Sequence, residues 1–152
     1  MSTNNYPEGL DCVWLASDRD GCVGAFVTAG AGPIPSLALD ASDVPLEDIE
    51  QRLWELPSVS DVRLLVSVKR PDSFIELAQR GVFVFDWTDI HRTKAEVVRA
   101  YELVAVPLDP IVVLASPPDL AALAVAATLA NVSFADGQMV DVRTHLKCRA
   151  LG

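Results

Sequence analysis

Basic side chains are scarce in this sequence: 12 Lys and Arg stand against 21 Asp and Glu, a formal charge of -9 over 152 residues. A surface of that sign repels phosphate backbones, which argues against generic nucleic-acid binding. Cysteine is scarce too. Cys12, Cys22 and Cys148 are odd in number and form no CxxC pair, excluding a disulfide scaffold and thioredoxin-like or zinc-ribbon chemistry. They read as reduced, mostly buried thiols. Residues 1–10 carry Asn4, Asn5, Pro7 and Glu8, with neither the basic nor the apolar region of a secretory signal, so the expected address is the cytoplasm. The longest apolar stretch, 111–129, is interrupted by Ser116, Pro117, Pro118 and Asp119. It therefore reads as a strand and a helix, short of the roughly 20 residues of a membrane span. GxSxG, HExxH and P-loop motifs are missing, so neither an enzyme nor a cofactor is expected.

What is present is a chain that folds. Apolar residues make up 51% and charged residues 22%, against the low-hydrophobicity, high-charge signature of disorder. The length suits one domain, expected over 11–147, with a flexible segment at 1–10 and a tail at 148–152.

Asp11 to Asp18 reads as a strand that Asp20 and Gly21 turn into a second one, Cys22 to Ala29, forming a β-hairpin. Two glycines and two prolines over 30–35 end it in a loop. From Pro45, with Asp43 as cap, Leu46, Ile49, Leu53 and Leu56 recur at helical spacing until Pro57. Val62 to Val68 is β-rich. Ser73 and Glu76 form a capping box for a short helix that stops at Gly81. Val82 to Phe85 is a strand signal, followed by 86–92 as a surface loop. A strand is expected from Arg99 to Val106. Ser116, Asp119 and Pro117 then start a helix whose alanine-rich body runs to Ala130. Asp136 and Gly137 predict a second hairpin between 132–134 and 139–142. Hairpins and three helices without strict βαβ alternation predict an α+β fold: a mixed, largely antiparallel sheet with the helices covering one face.

Gly30-Ala31-Gly32 follows a strand, but Pro35 stands where a dinucleotide fingerprint needs its third glycine. Asp18 to Gly21 looks like a fragment of a calcium loop, but no acidic residue closes it, so it reads as a hairpin tip. Cys148 and His145 have no orienting acid placed by sequence, and Cys148 reads as a packing residue. The densest cluster of chemistry-bearing residues is Asp86, Trp87, Asp89, His91 and Arg92. On a turn, Asp86, Asp89 and His91 would converge as ligands for a divalent metal, with His145 the only other histidine to complete the set. The same turn suits a protein interface, with Trp87 as anchor and the carboxylates supplying complementarity. The blander reading is that Trp87 caps the core while the two aspartates solvate a surface turn.

The blocks Val13-Trp14-Leu15-Ala16-Ser17-Asp18-Arg19-Asp20-Gly21 through Gly30-Ala31-Gly32-Pro33-Ile34-Pro35, and Val84-Phe85-Asp86-Trp87-Thr88-Asp89-Ile90-His91-Arg92, resemble small bacterial proteins of the polymorphic-toxin immunity type. About half the chain carries the resemblance, which transfers no site residue. It implies a cytoplasmic, non-enzymatic protein that binds and neutralises a protein toxin, and an acidic surface would steer towards a basic partner. Asp86, Trp87, Asp89 and His91 are the expected contact residues, with Asp18 and Asp20 on the hairpin tip as a second patch. If the 86–91 loop is the anchor, Trp87→Ala should weaken binding by at least about 2 kcal/mol. The alternative is a metal- or small-molecule-binding protein using the 86–92 loop, although no metal site is assigned.

Overall fold

Gly21, at φ +78°, closes the turn between β1 (Val13–Asp18) and β2 (Val23–Val27), whose antiparallel register runs from Val13 opposite Val27 to Ser17 opposite Val23. The expected hairpin is therefore present. These positions belong to a computed structural model that describes residues 11–40, 44–65, 72–88, 91–93, 96–97, 100–136 and 139–149. The segment 1–10, Asp43, the end of the strand expected to reach Val68, and Gly137 lie outside them.

After β2 the chain runs through β3 (Ile34–Pro35), α1 (Ser36–Asp40), a 3-10 turn at Leu46–Asp48, α2 (Ile49–Trp54), β4 (Val62–Leu64) and α3 (Asp72–Ala78). Next come β5 (Phe83–Thr88), β6 (His91–Thr93), β7 (Glu96–Val97) and β8 (Ala100–Pro107). The remainder holds α4 (Pro118–Ala126), β9 (Thr128–Leu129), β10 (Met139–Val140) and β11 (Cys148–Arg149). Seven strands form the main sheet in the order β10-β8-β5-β2-β1-β9, with β4 also on β8. β2 pairs β5 and β1 pairs β9 in parallel; the other neighbours in this sheet are antiparallel. This is the mixed, largely antiparallel α+β arrangement expected.

Both faces of the sheet are covered, so β1 and β2 are buried at every position rather than alternating with solvent. Side-chain period decides which residue faces which layer. Val13, Leu15, Val27 and Val84 point into a core closed by Ile49 and Leu53 of α2, Leu77 of α3 and Leu120 and Leu123 of α4. Trp14, Phe26, Phe83 and Phe85 point the other way, into a core completed by Ile34, Leu39 and Phe134. In that second core Phe26 stacks on Trp14 at 4.4 Å and on Phe85 at 4.5 Å. The Trp14 indole donates to the Tyr101 hydroxyl, which donates in turn to the Pro33 carbonyl, so neither buried polar tip is orphaned. A bulge at Val104, where Val84 opposes Ala105 but Phe85 opposes Leu103, keeps Tyr101 and Leu103 on the aromatic face.

Several local expectations are corrected. Helix α3 begins at Asp72, so Ser73 lies inside it rather than capping it. Helix α4 has Pro117 as N-cap and Pro118 in the first turn, one residue later than Ser116 implied, and it ends at Ala126. The loop expected over 30–35 contains β3, which pairs with β11, so Cys148 and Arg149 belong to the fold rather than to a tail. The second hairpin is not found among the described residues: Phe134–Asp136 is a 3-10 turn, and Met139–Val140 pairs with Glu102 and Tyr101 of β8.

Candidate functional site

The largest correction concerns 86–92. Asp86, Trp87 and Thr88 are not in a loop; they extend β5 in the middle of the sheet, with Asp86 between Val27 of β2 and Glu102 of β8. Strand periodicity then separates the two residues expected to act together. Trp87 lies on the aromatic face, half-buried, edge-on to Tyr101 at 5.2 Å, with the Arg143 guanidinium 5.7 Å from its ring. Asp86 lies on the helix-covered face, where it lines a recess with Val13, Val27 and Leu77. Asp89 lies outside the described residues, and of His91 only the backbone, in β6 opposite Val97, is described.

The expected hairpin-tip patch also changes character. Asp18 is buried, 4% exposed, and its carboxylate accepts backbone N–H groups of Asp20, Cys22 and Phe134 at 3.0, 2.9 and 2.8 Å. Its capacity is spent inside the fold. Asp20 is exposed and accepts the Ser133 hydroxyl at 2.9 Å. The two aspartates together tie the turn to the 133–134 segment.

Sequence reasoning missed what surrounds Asp86. The recess, about 320 Å³, is also lined by Asp11, just before β1, and by Glu50 in the first turn of α2. Three carboxylates thus share an opening whose walls are Val13, Val27, Phe74 and Leu77. Burial, followed by the negative charges of Asp11 and Glu102, pushes the Asp86 carboxyl up to about 6. Burial and Asp11 raise Glu50 above its ordinary value as well. No cation pairs with Asp11, Glu50 or Asp86 among the described residues. The rim is strained: Ala29 has φ +52°, and its N–H donates to the Asp11 carboxylate at 3.0 Å. The one sequence signal was Glu50 beside the apolar stripe of its helix, which every solvated helix shows.

Chemically, an apolar-walled acidic opening suits a cation carried on an aliphatic stem, because the walls take the methylenes and the carboxylates take the charge. Among the described residues no three His, Cys, Asp or Glu side chains are placed to hold a metal ion. The Cys148 thiol, pushed up to about 11 mainly by burial, stays protonated at neutral pH and donates to the Leu146 carbonyl. An activated nucleophile there gains no support. Among the described residues no helix is long and apolar enough to cross a membrane. Compared with known proteins, the chain matches no family, no curated protein and no solved structure.

Proposed function

We propose that this chain is a non-enzymatic binding protein of the immunity type, acting in the cytoplasm, which holds a basic side chain of a protein toxin in the Asp11, Glu50 and Asp86 recess and so covers the toxin's working surface. The observation that carries this reading is the convergence of three carboxylates on an apolar-walled recess with no described cation to neutralise them. Within the fold the arrangement is a cost. Asp86 stands directly opposite Glu102 across β5 and β8, where like charges destabilise. A Lys or Arg from a partner offsets that repulsion with an attraction of its own, and the net charge of -9 steers such a partner in.

The test is paired affinity capture from lysate of the native host, using the wild-type chain and the double variant Glu50→Gln, Asp86→Asn, with salt elution and mass spectrometry. A basic polypeptide retained by the wild type and lost from the variant is expected. Equal retention on both would remove the recess from the binding surface. Inhibition of the captured polypeptide's activity by the wild-type chain is the second expected result, and unchanged activity would overturn the immunity role.

A further inference from the structure

Away from the acidic recess, the segment between β8 and α4 builds a surface with a knob and a hole side by side. The hole is a groove of about 300 Å³ lined by Leu56, Pro57, Val59, Ile111 and Pro117, with Arg80 at its wall. Its frame is fixed by backbone bonds: Val59 N–H donates to the Gln79 carbonyl and Ile111 N–H to that of Gly81. Gly81 is required there, because its φ is +92° and a Cβ would stand 2.6 Å from Ile111 Cγ2. The knob is Leu114, 97% exposed, at the middle of the 3-10 turn Val113–Ala115. It is held rigidly: Val113 N–H donates to the Gly21 carbonyl, Ala115 N–H to that of Val112, and the Ser116 hydroxyl to Val112 again.

A single exposed leucine needs no explanation. Here Val59, which lines the groove, and Leu108 and Val112, which flank Ile111 in the chain, are exposed at 46%, 57% and 40%, so Leu114 is not an isolated exposed apolar side chain. The charges on this surface also lack partners. Arg80 spends two donors on the Glu76 and Trp54 carbonyls and lies over the Trp54 ring at 5.2 Å, and its buried Nε has no acceptor. No carboxylate pairs with it among the described residues. Asp109 is exposed, its N–H bonded to the Ser60 hydroxyl next to the groove wall at Val59, and no described basic group pairs with its carboxylate.

A two-fold axis between a knob and a hole on one surface places each knob in the other copy's hole, which is the self-complementarity an isologous interface needs. We infer that this chain forms a symmetric dimer in which Leu114 of each copy seats in the other copy's groove and Asp109 of each copy approaches the other's Arg80. The occupant is a second copy because this one surface supplies every part: knob, hole, cation and anion. The acidic recess plays no part in this contact, so the dimer and the proposed function stand or fall separately.

Sedimentation equilibrium of the purified full chain over ~5 to ~500 µM tests this. A monomer–dimer equilibrium is expected for the wild type. Leu114→Asp, at a position 97% exposed where the circular dichroism spectrum should stay unchanged, should abolish it. Ala115 also lines the groove, so Ala115→Trp, which fills it, should do the same, and Asp109→Arg should weaken the dimer about 10-fold or more. A wild type that stays monomeric throughout overturns the inference and leaves the groove to a different chain. A Leu114→Asp variant that still dimerises also overturns it, because the contact would then lie on another face.

Discussion

The Asp18 carboxylate accepts the backbone N–H of Phe134 at 2.8 Å, a contact that spans 116 positions of sequence. The same carboxylate takes the N–H groups of Asp20 and Cys22, so one buried side chain both shapes the hairpin turn and fastens the carboxyl-terminal segment over the aromatic core. Removing it leaves three donors without their acceptor. Asp18→Ala should therefore destabilise the chain by about 3 kcal/mol in urea unfolding, well above the cost of an ordinary surface aspartate. A loss under about 1 kcal/mol would show that water replaces the carboxylate at this turn.

Asp86 should show the opposite sign. Its carboxyl is raised from 3.8 to about 6 in the fold, so the native state binds the proton more tightly than the unfolded chain does. Stability is then highest below the ordinary carboxylate range and falls as pH rises from about 4 to about 6. Asp86→Asn should stabilise the chain at neutral pH by about 1–2 kcal/mol, discounted for the side chain's partial exposure, with the gain disappearing at pH 4. If the recess receives a cation, the same variant binds more weakly, and wild-type binding weakens as pH falls through about 6 because the proton competes with the cation. Titration calorimetry in buffers of different ionisation enthalpy should register proton release on binding near pH 6.

Trp87 and Asp86 are neighbours in sequence on opposite faces of β5, so their variants should separate. Trp87→Ala removes the edge contact with Tyr101 and the ring beneath Arg143, and should cost about 2 kcal/mol of stability while leaving partner affinity unchanged. Weakened binding by a folded Trp87→Ala protein would return this residue to the interface.

Gly32 packs where no larger residue fits. A Cβ there would overlap the Tyr101 hydroxyl and lie 3.0 Å from Trp87 Cβ. Gly32→Ala should displace Tyr101 and its bonds with Trp14 and Pro33, with a loss of about 2–3 kcal/mol and a change in the near-ultraviolet circular dichroism.

Arg52 on α2 grips the first turn of α4 through two bonds of 2.8 Å to Asp119. The guanidinium holds the Asp119 carboxyl below its ordinary value, so this contribution is present above the ordinary carboxylate range and lost as pH falls through the depressed value. Asp119→Asn should cost about 1 kcal/mol at pH 7, and the difference from wild type should shrink in acid.

Elements whose cause lies within a few residues can be read from the chain alone. Asp20 and Gly21 bring a left-handed position to a two-strand junction, Leu46, Ile49 and Leu53 share one side of a turn of helix, and prolines start or stop α2 and α4. These are short-range steric and periodic effects, and all were legible. Glu50 and Asp11 were present as residues, but nothing local marked them as parts of one recess with Asp86. Tertiary pairing alone decided that. The backbone of 86–88 is polar enough in sequence for a loop, but β8 pairs with all three residues and β2 reaches Asp86, and backbone groups left unpaired inside the sheet would be costly. The same competition undid the second hairpin. Phe134 is drawn to Asp18 and the aromatic core, while Met139 and Val140 find a longer partner in β8, so a turn signal sufficient at Gly21 could not set the pairing at Asp136.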